Sequence, residues 1–245
     1  MRTTALVVCA LALSIMAPLP GIEPDPGDRI LKRVDALRNP LVNFSMDLEL
    51  TNYRKTDSDV WRLRVSGLGK DKSLVEFLSP ATERGKYLLM LRDGMWVYVP
   101  DTSKPIRISP LQRLMGEASN GDVARTNYST DYVVSSITEG EEDGKPVNVL
   151  ELKAKDPDLS YSRVTLWALR DGDVPLKADY YVSSGKLLKR VFFREFGALG
   201  GFRLVTKVEI FDAVRPDRRT VMSYSNLRAT QLPEKMFQPG YLGKW

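Results

Sequence analysis

From Leu41 onward the chain repeats one pattern: a run of alternating apolar and polar residues, then a short turn of Gly, Asp, Ser or Asn. Runs of this period are half-buried strands, and turns this short join strands that lie antiparallel. Leu41 to Arg54, Asp59 to Lys70 and Lys72 to Ser79 form the first group. Tyr132 to Thr138, Val147 to Lys155, Arg163 to Arg170, Val174 to Ser183, Lys186 to Phe196, Phe202 to Phe211 and Thr220 to Arg228 form the last. The connections "RDGD", "SSGK" and "GALGG" have hairpin composition. Roughly ten strands in sequence make a meander, and a single sheet of that size must curl strongly or split in two. The expected class is therefore mainly β (α+β): a strongly curled antiparallel sheet or incomplete β-barrel, with helices closing its concave side.

Two segments precede the strands. "MRTTALVVCALALSIMAPLPG" has Arg2, an apolar run from Ala5 to Ala17, and then Pro18 and Pro20. The run is too short to span a bilayer and has the layout of a secretory signal peptide, so residues 1–20 are expected to be removed on export. Cys9 is the sole cysteine and falls inside that run, which leaves the mature chain without a disulfide. Residues 21–27 read as a linker, followed by one domain over 28–245. Asp28 is expected to cap a helix from Arg29 to Arg38, ended by Asn39-Pro40. On it Ile30, Val34 and Leu37 fall at i, i+4 and i+7 with Leu31 beside them, a single apolar stripe that needs a surface to cover.

The stretch "YLLMLRDGMWVYVP", Tyr87 to Pro100, reads as a tight hairpin turning at Asp93-Gly94. Both of its faces are apolar. One carries Leu88, Met90, Val97 and Val99, the other Leu89, Leu91, Trp96 and Tyr98. An antiparallel sheet usually solvates one face, so something must cover the second here. Leu88, Met90, Val97 and Val99 are assigned inward, together with Ile30, Leu31 and Val34 of the helix. Trp96 and Tyr98 are assigned outward or to the rim, because their N–H and O–H groups want partners or water.

Between this hairpin and the later strands, Asp101 to Arg125 breaks the meander. Ser109 is expected to cap a short helix starting at Pro110 and stopping at Gly116, with Leu111, Leu114 and Met115 on one face. A further helical turn is expected near Asp122 to Arg125. Pro110, Leu111, Leu114 and Met115 are the candidate lid over the concave face, and added core is the plainer alternative.

The absence of histidine from all 245 residues removes Ser-His-Asp triads, Cys-His dyads and His-based zinc sites. "EGEED", Glu139 to Asp143, leads into Gly144 as an acidic turn, and no Gly-rich phosphate loop is present. The reading is of a non-enzyme without cofactor or metal. A net charge of +5 is scattered along strands, which disfavours nucleic acid and leaves room for transient contact with an anionic membrane surface. With 27% charged residues the chain is too polar for a bundle of membrane helices.

Taken in order, the "RILKRVDALRNP" helix, the strands, "LRDGMWVYVP", "KPIRIS", "RLMG" and "GDVAR" resemble the LolA-like outer-membrane lipoprotein-sorting proteins, in their broader, less characterised branch. The resemblance implies a hydrophobic cavity that shields lipid chains in the periplasm of a Gram-negative bacterium. It implies acyl chains of a lipoprotein or free lipid as cargo, an inner-membrane transporter of the RND type as a partner, and a monomeric carrier. A periplasmic lipid-sensing or accessory module of such a transporter is the alternative the residues leave open.

Overall fold

The computed structural model of the chain describes residues 25–244, except residues 39, 40, 70, 93, 103, 110, 112, 125, 126, 158 and 216. The expected signal peptide and the Asn39-Pro40 helix stop fall outside the described residues.

Helix α1 (Pro26–Ala36) begins one turn earlier than expected. Asp25 is its cap, accepting the Asp28 N–H at 3.3 Å, and Pro26 takes the first helical position, where its missing N–H costs nothing. Asp28 instead sits in the first turn and pairs with Lys32 at 2.7 Å. The apolar stripe is where the spacing puts it: Ile30, Leu31 and Val34 are buried.

The strands before the break are β1 (Phe44–Arg54), β2 (Asp57–Leu68), β3 (Lys72–Ser79), β4 (Tyr87–Leu91), β5 (Gly94–Tyr98) and β6 (Ile106–Ile108). A small hairpin of β7 (Arg113–Met115) and β8 (Ala118–Ser119) leads into α2 (Asn120–Ala124) and α3 (Tyr128–Asp131). The chain then returns through β9 (Tyr132–Glu142), β10 (Lys145–Ala154), β11 (Arg163–Leu169), β12 (Pro175–Tyr181), β13 (Leu187–Leu199), β14 (Phe202–Asp212) and β15 (Arg219–Ala229). Among the described residues these make one 13-stranded sheet in the order β6-β5-β4-β3-β2-β1-β15-β14-β13-β12-β11-β10-β9, with β7 and β8 apart. The sheet is two meanders joined where β15 pairs antiparallel with β1. It stays open between β6 and β9, the two strands that flank the break. One continuous hydrophobic core takes residues from β3 to β5 at one wing and from β9 to β11 at the other, together with α1, α2 and α3. That is the consequence of curling: one face of the whole sheet closes on itself, with the helices inside the curve.

Two local expectations are corrected. Leu91 pairs with Gly94, so the strands close one residue earlier than a turn at Asp93-Gly94 would have them. A Cβ at Gly94 would come within 2.9 Å of the Arg107 side chain, which stacks over the Trp96 ring. The cross-strand pairing shifts by two residues, and because side chains alternate with a period of two, the faces keep their membership. The second correction is the Pro110-to-Met115 helix. Arg113–Met115 is a strand, paired to β8 across a turn at Gly116, and Pro110 is outside the described residues. A six-residue helix cannot hold itself together. Here the backbone finds a better partner: Gly116 adopts φ +55, where a Cβ would lie 1.9 Å from the Asn52 side-chain oxygen, and the Glu117 N–H donates to Thr220 Oγ1 at 2.8 Å. Leu111 is exposed and Leu114 is half-buried against the core, so this segment forms no helical lid.

Candidate functional site

A cavity of about 320 Å³ opens between the helices and the concave face of the sheet. Its floor is Phe44 and Met46 of β1, Val65 and Gly67 of β2, Ser73 of β3 and Met90 of β4, continuing to Val205, Val208 and Tyr224 on β14 and β15. Those six neighbouring strands span an arc of about 24 Å at ~4.8 Å per strand. The roof is Lys32, Asp35 and Ala36 of α1, then Asp122 and Val123 of α2, and Ser129 and Thr130 of α3.

The expected cavity residues divide by this geometry. Met90 lines the cavity. Ile30, Leu31, Val34 and Leu88 are buried in the core that seals it, and Val97 and Val99 are half-buried farther out, Val97 opposite Leu88. Of the candidate lid, Leu111 and Leu114 lie elsewhere. The roof role belongs to α1, to α2, which overlaps the helical turn expected near Asp122 to Arg125, and to α3. Trp96 and Tyr98 are on the opposite, convex face. There they join Leu74 and Leu89 beneath Phe237 and Leu242 of the C-terminal segment, which is what covers the second apolar face of the hairpin. Phe44, Met46 and Val65 were legible as alternating strand residues; Val205, Val208 and Tyr224 meet them only through the β1–β15 pairing.

The helices are held over the cavity by buried charge. Asp35 of α1 accepts the N–H groups of Tyr128 and Ser129 at 2.9 and 2.8 Å and so fastens the start of α3 to α1. Burial raises the Asp35 pKa, against the opposing pull of Arg38 and these hydrogen bonds. Asp122 of α2 forms a buried ion pair with Lys189 of β13, and Tyr161 donates its hydroxyl to the same carboxylate at 3.0 Å. The Lys189 ammonium lies 4.4 Å from the centre of the Tyr161 ring and 4.9 Å from that of Tyr180. Burial pushes Lys189 down and Asp122 opposes the shift. The Tyr128 and Tyr180 hydroxyls share a hydrogen bond. These groups serve one another and the fold, and the Ser119 hydroxyl joins them through a 3.0 Å hydrogen bond with that of Tyr161.

The same burial sets an alkaline limit. Desolvation raises the phenol pKa values of Tyr128, Tyr161, Tyr180 and Tyr224, that of Tyr224 to about 12. In the unfolded chain they ionise near 10, so between those values the folded state holds more protons and stability falls as pH rises. Tyr224 alone accounts for a loss on the order of a few kcal/mol across that window. Urea unfolding from pH 9 to 12, read beside phenolate absorbance, is expected to show ionisation and unfolding together. Ionisation of all tyrosines near 10 with unchanged stability would contradict it.

Among the described residues no group of three or more side chains is placed to hold a metal ion, and no helix is long and apolar enough to cross a membrane. No curated protein matches the chain. A family model described only as an uncharacterized protein matches residues 69–244. Among solved structures, a LolA superfamily protein from Nitrosomonas europaea is 33% identical, with 88% of this chain and 99% of that chain covered and a TM-score of 0.82. A DUF1329 family protein from Desulfovibrio piger is 26% identical over 88% and 97% of the two chains, TM-score 0.74. A putative outer membrane lipoprotein-sorting protein domain from Vibrio parahaemolyticus shares the fold at 22% identity over 89% and 98%, TM-score 0.73. An open curled sheet with helices inside the curve, together with the identity to the Nitrosomonas protein over nearly its whole length, places this chain in the LolA superfamily.

Proposed function

We propose that this protein is an exported carrier that shields a lipid chain in its cavity as the lipid crosses the periplasm toward the outer membrane. The observation that carries the reading is the cavity itself: a largely apolar floor across six strands, roofed by short helices. Burying an acyl chain there is worth about 0.8 kcal/mol per methylene, so part of one chain suffices for useful affinity. Its 320 Å³ lies at the small end of the range for ligand pockets, which favours one chain over several. The roof must move for entry and release, and for α2 that means parting the Asp122–Lys189 pair that ties it to β13. Residues 1–20 supply the export signal in this reading, and an inner-membrane transporter of the RND type is the donor or acceptor to test.

The test is mass spectrometry of organic extracts from the mature protein, purified from its native cell envelope without detergent. One lipid per protein is the expected result and identifies the cargo class. An empty extract, with no binding of added lipids, would leave the cavity without a ligand and the carrier reading without support.

A further inference from the structure

The concave face of the first wing is built in rows across the strands. One row runs Phe44, Gly67, Ser73, Met90, Met95 and Ile108, each opposite the next. The adjacent row, from Met46 through Val65 to Ile106, is apolar throughout. Ser73 is thus the one polar side chain in two rows of cavity floor and core. It is 7% exposed, and its hydroxyl has no hydrogen-bond partner. Buried hydroxyls are nearly always paired, so an unpaired one in an otherwise apolar wall calls for a cause.

The charged groups along the rim have partners of their own. Lys32 pairs with Asp28 at 2.7 Å, Lys72 with Glu234 at 2.5 Å and Asp71 with Arg92 at 3.6 Å. Ser73 sits just inside that rim, next in sequence to Lys72, while Val205 and Val208 lie at the far side of the cavity, four strands away. A lipid entering tail first would place its hydrocarbon against Phe44, Met46 and Val65 and its first oxygen-bearing group beside Ser73.

We propose that Ser73 selects an acyl lipid carrying a hydrogen-bonding oxygen at the head end of its chain, its hydroxyl pairing with an ester carbonyl or with a hydroxyl on the acyl chain. The inference rests on the carrier reading and gives it a substrate class. A purely hydrocarbon ligand would leave the serine as it is, unpaired. An oxygen-bearing one converts a cost of the empty state into a contact of the filled state.

The experiment titrates the full mature chain and its Ser73→Ala variant with four probes of matched chain length: an ester-linked lysophospholipid, its ether-linked analogue, a 3-hydroxy fatty acid and the unsubstituted fatty acid. Wild type is expected to prefer the ester over the ether, or the hydroxy acid over the plain acid, by about tenfold, the worth of one hydrogen bond. Whichever pair shows the preference identifies the source of the oxygen. Ser73→Ala should abolish that preference, leave the ether and plain-acid affinities unchanged, and unfold at the same temperature as wild type or higher, since it removes an unpaired buried hydroxyl. Equal affinities within both pairs in wild type, or a preference that survives in Ser73→Ala, would overturn the role of Ser73 while leaving the carrier reading intact. Failure of all four probes to bind would overturn the carrier reading itself.

Discussion

Asp122→Ala is expected to destabilise the protein by about 3–5 kcal/mol, because it strands the Lys189 ammonium among aromatic rings with no countercharge. Lys189 is 4% exposed and cannot turn to solvent. The loss should exceed that of the double variant Asp122→Leu/Lys189→Met, in which both charges go and apolar volume stays. A buried ion pair replaced as a unit is often neutral or stabilising, so the two single losses should far exceed the double. The variant also carries a pH signature. Burial lowers the folded pKa of Lys189, and removing Asp122 removes the group that opposes the shift. The unfolded chain then binds more protons than the folded one between that lowered value and 10.5, so the stability of Asp122→Ala should rise with pH up to the point where the tyrosines begin to ionise. Urea titrations of wild type, Asp122→Ala, Asp122→Leu, Lys189→Met and the double variant at pH 7 and pH 9 measure both effects. Single variants as stable as wild type would mean that the pair does not hold α2 in place.

That ion pair marks where reading from sequence stops. The period-two alternation of "FSMDLEL" and the Gly- and Asp-bearing turns were enough to expect a curled antiparallel sheet, and the i, i+4 spacing of Ile30 and Val34 to expect a helix in its curve. Each is a local pattern, set by neighbours within a few residues. Asp122 and Lys189 lie 67 positions apart, and nothing around "GDVAR" or "LLKRVFF" distinguishes a buried pair from two solvated charges. The same limit explains the Pro110-to-Met115 segment. Its cap and spacing suit a helix, but its conformation is decided by contacts to Asn52 and Thr220, far away in the chain. The cavity was legible in part for the same reason. Met90 follows from strand alternation, whereas Val205 and Val208 join the floor only because β15 closes against β1. Trp96 and Tyr98 lie on the hairpin face away from the cavity, and the C-terminal cover over them, Phe237 and Leu242, carries no periodic signal, falling in and just after two short 3-10 turns.

Met90→Trp tests whether the empty space is what the protein uses. Met90 stands at the β4 end of the floor, half-buried, with the cavity on one side and Ser73 and Met95 as its cross-strand neighbours. An indole there has unoccupied volume to enter, so the overpacking cost that a filled core would exact, about 1–3 kcal/mol, should be largely avoided. The ligand loses the same volume. Excluding about three methylenes at ~0.8 kcal/mol each removes roughly 2.4 kcal/mol, or about fiftyfold in affinity. The expected result is an unchanged or slightly raised unfolding midpoint together with that loss of lipid affinity. Should the ring swing toward the rim, adding Met46→Trp from β1, three strands along the same floor, fills width that Met90→Trp leaves open. Retention of full affinity by the stable double variant would place the lipid outside this cavity and require the convex face, under its C-terminal cover, to be tested next. A lost affinity in a folded protein would instead show that this wall, and no other apolar surface of the chain, holds the hydrocarbon.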